Sequence, residues 1–161
     1  MEPQGNQFEQ RYGTKLERKL GFGRDGTVMY TDRASAVKLF SAQDAYVRER
    51  DAYLLLQAKG VTEILGHQVP AMIRFDDELL AIEMRIVEPP FLLDFASAYT
   101  EDEAPDFPDD VWDDWRAQKS EQFSDRWPDV LRVLDEFRRV TGLVLLDVNP
   151  GNVTFSEQSG R

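Results

Sequence analysis

Asp147 and Asn152 stand five positions apart in Leu145-Leu146-Asp147-Val148-Asn149-Pro150-Gly151-Asn152-Val153. No other stretch of the sequence is better equipped for chemistry. A carboxylate and a carboxamide on a stiff loop can share a hard cation or orient a nucleophile. Pro150 fixes its own φ and biases Asn149 towards an extended shape. Gly151 permits a tight reversal. The apolar run before Asp147 and the run Val153-Thr154-Phe155 predict two short strands flanking this loop. A polar surface hairpin would show the same pattern, so the loop takes its meaning from the rest of the chain.

Three further features bear on it. Gly21-Phe22-Gly23-Arg24-Asp25-Gly26-Thr27-Val28 places glycines where backbone amides could approach a phosphate without an intervening Cβ. A dinucleotide-binding fingerprint would put a helix after the last glycine. Thr27-Val28-Met29-Tyr30-Thr31 is a poor helix start, which argues against that option. Lys38 lies inside the apolar run Ala36-Val37-Lys38-Leu39-Phe40, so it either reaches solvent or is held inward for a purpose. Glu49 sits one turn before Tyr53 on an amphipathic helix, at the border of a buried face, where a carboxylate needs a cation. His67 is the only histidine, and without a second ligand nearby it reads as structural.

The elements that must position these residues follow from periodicity. Residues 1–14 read as a polar lead-in. Strands are expected over 15–20, 27–31, 36–40, 69–75 and 79–87. A helix is expected from Ser41 to about Ala58, with Ser41 and Asp44 as a capping box and Gly60 at its end. The expected fold class is α+β, a small antiparallel sheet of about five strands with one helix across it. Glu88-Pro89-Pro90 ends the last strand. Residues 91–99 read as helical. Residues 100–115 hold eight acidic residues and no basic one, expected as a solvated loop that turns helical around Trp112 and Trp115. A further helix is expected from Trp127 to Val140. Its buried stripe would be Val130, Leu131, Leu134, Phe137 and Val140, with Gly142 as its cap.

The 161 residues, 42% apolar and 11% aromatic, suffice for a core without staples. There is no cysteine, which excludes disulfides and thiolate chemistry and accords with a cytoplasmic location. The first residues lack a signal-peptide pattern, and no apolar run approaches a membrane span. The net charge of −11 with no basic cluster argues against nucleic acid as a partner.

Taken in order, these parts resemble the protein-kinase-like fold over roughly residues 15–155. Gly21, Gly23, Gly26 and Val28 match the family's phosphate-covering loop. Ala36-Val37-Lys38 matches the strand with the ATP-contacting lysine, and Glu49 matches that lysine's helix partner. Leu80-Ala81-Ile82-Glu83-Met84 is similar to the strand and hinge that receive adenine, with Ile82 as gatekeeper. The stretch 142–153 matches the catalytic loop. The resemblance implies a sheet lobe at 1–88 and a reduced helical lobe at 89–161. It implies ATP and Mg²⁺ as cofactors. Glu83 and Met84 would be adenine contacts, Asp147 would orient or accept the hydroxyl proton, and Asn152 would be a metal ligand.

The sequence also departs from the family. Leu145-Leu146 replaces the His-Arg before the catalytic aspartate. Asn149, counted with Asp147 and Lys38 among the catalytic candidates, replaces the catalytic-loop lysine and its charge. No Asp-Phe-Gly segment follows the loop, so the expectation is a chain that ends just after it and lacks the metal-binding aspartate. A turn is expected over 156–160, with a returning strand starting at Arg161. An unpaired edge at Val153–Phe155 and an uncovered Trp127–Val140 helix would then call for a second copy or a protein partner. Three functions stay open: a minimal phosphotransferase, a pseudokinase-like regulatory module that binds nucleotide without turnover, and an interaction module. The phosphate acceptor is not specified.

Overall fold

The computed structural model describes residues 3–156. Alternating and fully apolar segments build β1 (Leu16–Gly23), β2 (Gly26–Thr31) and β3 (Ser35–Phe40). Helix α2 (Gln43–Ala58) follows, then the short β4 (Glu63–Ile64) and β5 (His67–Gln68), then β6 (Met72–Asp76) and β7 (Ala81–Arg85). The expected five-stranded antiparallel sheet forms, in the order β1-β2-β3-β7-β6. β3 is central and buried along its whole length. Its register pairs Lys38 with Val28 on one side and Ile82 on the other. Strand alternation therefore sends Ala36, Lys38 and Phe40 to one face, and Val37 and Leu39 to the other.

The second face is covered by an element the polar lead-in hid. Residues Pro3–Tyr12 form helix α1. Phe8 is fully buried there in a cluster with Leu16, Val37, Leu39, Leu79 and Ala81. Gln4 donates from Nε2 to the Leu79 and Phe40 carbonyls. One apolar anchor and tertiary hydrogen bonds hold a segment whose composition is too polar to give a helical stripe.

Helix α2 begins at Gln43, with Ala42 at its N-cap and no side-chain cap. The expected capping box is absent because Ser41 Oγ donates to the Arg24 carbonyl instead. The Ser41 N–H donates to Asp25. Ser41 thus ties the tip of the Gly-rich hairpin to the start of α2.

Residues 91–99 are not helical. Leu92 bridges Val153, and hydrogen bonds run from Leu93 N–H to Asn152 and from Thr154 N–H to Phe91. Asp94 has φ +73°, a conformation that no helix accommodates. The chain continues into β8 (Ala98–Thr100), α3 (Asp109–Phe123), a 3₁₀ turn (Ser124–Arg126), α4 (Trp127–Thr141) and β9 (Leu143–Leu145), which pairs with β8. The expected unpaired edge at Val153 is therefore paired within the chain. The apolar stripe of α4 is also covered by the chain's own core, with Val130 and Phe137 fully buried. Val133 takes the place expected for Leu131, which is exposed. No helix among the described residues is long and apolar enough to cross a membrane. Of the turn expected over 156–160 and the strand start at Arg161, all but Ser156 lies outside the described residues.

Candidate functional site

The centre of the site is a lysine that the sheet holds inward. Lys38 Nζ donates to Glu49 Oε1 at 2.7 Å and to Asp94 Oδ1 at 3.2 Å. Glu49 is fully buried on α2, and its Oε2 accepts the Phe95 N–H at 3.0 Å. Asp94 Oδ2 accepts from Asn152 Nδ2 at 3.2 Å. Lys38, Glu49, Asp94 and Asn152 thus form one connected cluster. The first two come from the sheet and α2, the last two from the segments that follow.

Two carboxylates share one ammonium here, so the cluster carries excess negative charge. Burial alone would lower the Lys38 pKa, but the nearby charges of Glu49 and Asp94 outweigh it and hold it above its ordinary value. The cost falls on Glu49. Burial raises its pKa, Lys38 opposes that, and the neighbouring Asp94 charge adds to the rise. A cation beside Asp94 would relieve the imbalance.

The catalytic-loop candidate is held by three groups. Trp115 Nε1 on α3 donates to the Leu146 carbonyl at 3.1 Å, and Lys119 Nζ to the Val148 carbonyl at 2.6 Å. Ser97 Oγ accepts the Asp147 N–H at 2.7 Å. Within the loop, Asn149 Oδ1 accepts the Gly151 N–H at 2.8 Å, which gives the side chain a turn-forming task. The Asp147 carboxylate is exposed and has no hydrogen-bond or ion-pair partner among the described residues.

The three glycines differ. β1 runs through Gly23 and β2 starts at Gly26, so only Arg24 and Asp25 form the turn. A Cβ on Gly26 would lie 2.2 Å from the Leu39 carbonyl oxygen; this glycine is required by the approach of β3. A Cβ on Gly21 or Gly23 would meet nothing within 4 Å. Those two positions leave open space over the sheet.

Val28 faces Lys38 in the β2–β3 register and packs on the core. Met84 lies on the Lys38 face, and its Sδ accepts from Tyr53 Oη at 3.2 Å. Glu83 points to the other face. It accepts from Ser35 Oγ at 2.6 Å and pairs with Arg74 at 2.8 Å, and its backbone lies between β3 and β6 in the sheet. His67 is buried edge-on against Phe155 and lies outside the cluster. Asp94 is the residue that sequence reasoning missed. A signal existed: like Lys38, it is a lone charge inside an apolar run, Phe91-Leu92-Leu93-Asp94-Phe95-Ala96.

The donor set suits a hard divalent cation in part. Mg²⁺ takes one or two carboxylate or amide oxygens from a protein and fills its shell with phosphate and water. Asp94 offers a carboxylate, and Asn152, donating through Nδ2, keeps Oδ1 available. No group of three or more His, Cys, Asp or Glu residues suited to a metal exists among the described residues, so a metal held by protein alone does not fit.

No protein-family model and no curated protein matches the chain. Among solved structures, it is similar to APH(2")-IIa, an aminoglycoside phosphotransferase, in a ternary complex with streptomycin and ATP. The identity is 19% and the TM-score 0.40, over 52% of this chain and 27% of that one. This chain thus spans about a quarter of that protein's length.

Proposed function

We propose that this chain is a kinase-like ATP-binding protein that passes a phosphoryl group to a hydroxyl, with Asp147 as the group that takes or orients the hydroxyl proton. The contact that carries the proposal is the one Asp94 makes. A single carboxylate touches both Lys38 and Asn152, which links the phosphate-neutralising lysine to the amide on the loop of Asp147. The metal-binding aspartate that the kinase resemblance lacked after the catalytic loop is supplied upstream. Asp94-Phe95-Ala96 resembles Asp-Phe-Gly, and the segment before it is joined to the Asn152 segment by the Leu92–Val153 bridge and two backbone hydrogen bonds. Lys38 and Glu49 come to the cluster from β3 and α2, and Asp94 and Asn152 from the segments that follow the sheet.

Each residue then has a task that phosphoryl transfer requires: immobilising phosphates, neutralising charge and orienting the acceptor. The amides of the Gly21–Gly26 hairpin hold phosphates in the space that Gly21 and Gly23 leave open. Lys38, fixed by Glu49, neutralises them. Ile82 and Met84, on the Lys38 face of the sheet, border the adenine. Asp94 and Asn152 Oδ1 would hold Mg²⁺, which would offset the charge between the phosphates and the two carboxylates. A second reading, nucleotide binding without turnover, is favoured by one feature: nothing among the described residues orients the Asp147 carboxylate.

A thermal-shift titration with ATP, with and without Mg²⁺, tests the binding step, since a ligand that binds only the folded state raises its melting temperature. The expected result is a Mg²⁺-dependent rise that Lys38→Ala abolishes. No shift at millimolar ATP would sink the proposal. ADP formation that Asp147→Asn abolishes separates turnover from binding alone.

A further inference from the structure

Lys119 is a buried cation for which the roles above leave no use. It lies on α3 and is 7% exposed. An ammonium carries three N–H donors, yet its only hydrogen-bond partner among the described residues is the Val148 carbonyl oxygen at 2.6 Å. No carboxylate pairs with it there, although the chain holds 30 acidic residues against 19 basic ones. Every other buried Asp, Glu, Lys or Arg side chain among the described residues has an ionic partner: Lys38 has Glu49 and Asp94, Asp76 has Arg11, and Glu83 has Arg74. A buried ammonium without a counter-charge is costly and rarely tolerated without purpose.

Its position supplies the purpose. The carbonyl it binds belongs to the residue after Asp147. Lys119, Asp147, Asn149, Ser97, Gln118 and Gln122 line one open cavity of about 540 Å³. Anchoring the loop alone would not require charge, since a glutamine amide could donate to the same carbonyl. We propose that Lys119 is the cation that neutralises the phosphoryl group in flight. This rests on the phosphotransferase reading above.

During transfer, the acceptor oxygen forms the new P–O bond and its proton passes to Asp147. The bond from the terminal phosphorus to the bridging oxygen breaks, and ADP leaves with the electron pair. Charge spreads over the three equatorial oxygens of the phosphoryl group. Lys119 forms no covalent bond; it donates to one of those oxygens with an N–H that Val148 does not use. The loop position where the kinase resemblance has a lysine holds Asn149, which is occupied with Gly151. The charge comes from a helix packed beneath the loop instead.

The test compares Mg-ADP with Mg-ADP plus aluminium fluoride, a mimic of the phosphoryl group in transfer, on the full chain. The wild type is expected to bind the fluoride complex about 100-fold more tightly than Mg-ADP, as complementarity to charge in transfer requires. Lys119→Gln keeps a donor for Val148 and is expected to lose about tenfold of that gain, with Mg-ADP affinity unchanged. Lys119→Arg should restore most of it. Lys119→Met, melted in parallel, shows whether the donor is needed for folding. Three outcomes overturn the proposal: an undiminished gain in Lys119→Gln, an equal loss for both ligands, or no gain in a wild type that binds Mg-ATP. If the wild type binds no Mg-ATP at all, the phosphotransferase reading falls, and this proposal with it.

Discussion

Asp76 and Glu49 are both carboxylates drawn into the protein beside a cation, on opposite faces of one sheet. Asp76 is surrounded by donors: Arg11 at 2.7 Å, Tyr12 Oη at 2.5 Å, and the N–H groups of Glu78 and Leu79. Burial alone would raise its pKa, but Tyr12, Leu79 and Arg11 hold it below the ordinary value of 3.8. It fastens α1 to the sheet, and its hydrogen-bonding capacity is satisfied. Glu49 has one ammonium to share with Asp94, and its pKa is raised. A carboxylate that serves only the fold has enough donors. A carboxylate left with too few marks a place where charge is meant to arrive from outside.

The sharpest way to break this contrast is Lys38→Met, which strands a buried Glu49. The expected loss is about 3 kcal/mol of unfolding free energy, measured by urea denaturation. The double variant with Glu49→Gln should recover at least half of that, because the stranded charge is gone. Equal losses in the single and double variants would show that the two are not coupled. Asp76→Ala should cost about 2 kcal/mol by leaving buried donors unpaired. Its Mg-ATP shift should keep the native size, and a lost shift would mean that the two clusters are not separate in role.

Asp94→Asn should do the opposite of Asp76→Ala. Removing one of two competing carboxylates relaxes Glu49, so melting should rise by the equivalent of about 1 kcal/mol. The Mg²⁺-dependent nucleotide shift should disappear. A destabilised variant would contradict the charge imbalance on which the site depends.

pH separates the clusters by sign. The lowered Asp76 contributes stability that is present above its ordinary pKa and lost as pH falls through its lower folded value. Glu49, raised, contributes stability present at acid pH and lost as pH rises through its folded value. Melting temperatures recorded from pH 2 to 7 should show the acid limb flatten in Asp76→Asn. The loss towards higher pH should weaken in Glu49→Gln. The smallest effect is expected at Gly23→Ala, where a Cβ meets open space: stability within about 0.5 kcal/mol of native and weaker Mg-ATP binding.

Much of this was legible in the chain. The period-two runs around 16–40 and 72–85 and the stripes of α2 and α4 are local patterns that burial enforces, and they determined a five-stranded sheet with one helix across it. The composition of Asp147–Asn152 determined a stiff loop. Lys38, as a lone charge in a central apolar strand, was visible as a candidate. Other features depended on long-range contacts. α1 has a single buried phenylalanine and a Gln4 that reaches backbone some 36 to 76 residues away, so nothing local announces it. The helical reading of residues 91–99 fails because Leu92 finds a strand partner at Val153 that is distant in sequence. Asp94 acquires its meaning only from that pairing, which sets it between Lys38 and Asn152. In the sequence Lys119 is one charge among several on α3, and only packing buries it under the Asp147 loop. The sequence determined which segments would bury their apolar faces, because burial is a local demand of side-chain type. Only the tertiary structure decided which charges would be left without enough partners, because that balance is struck among residues that distant parts of the chain bring together.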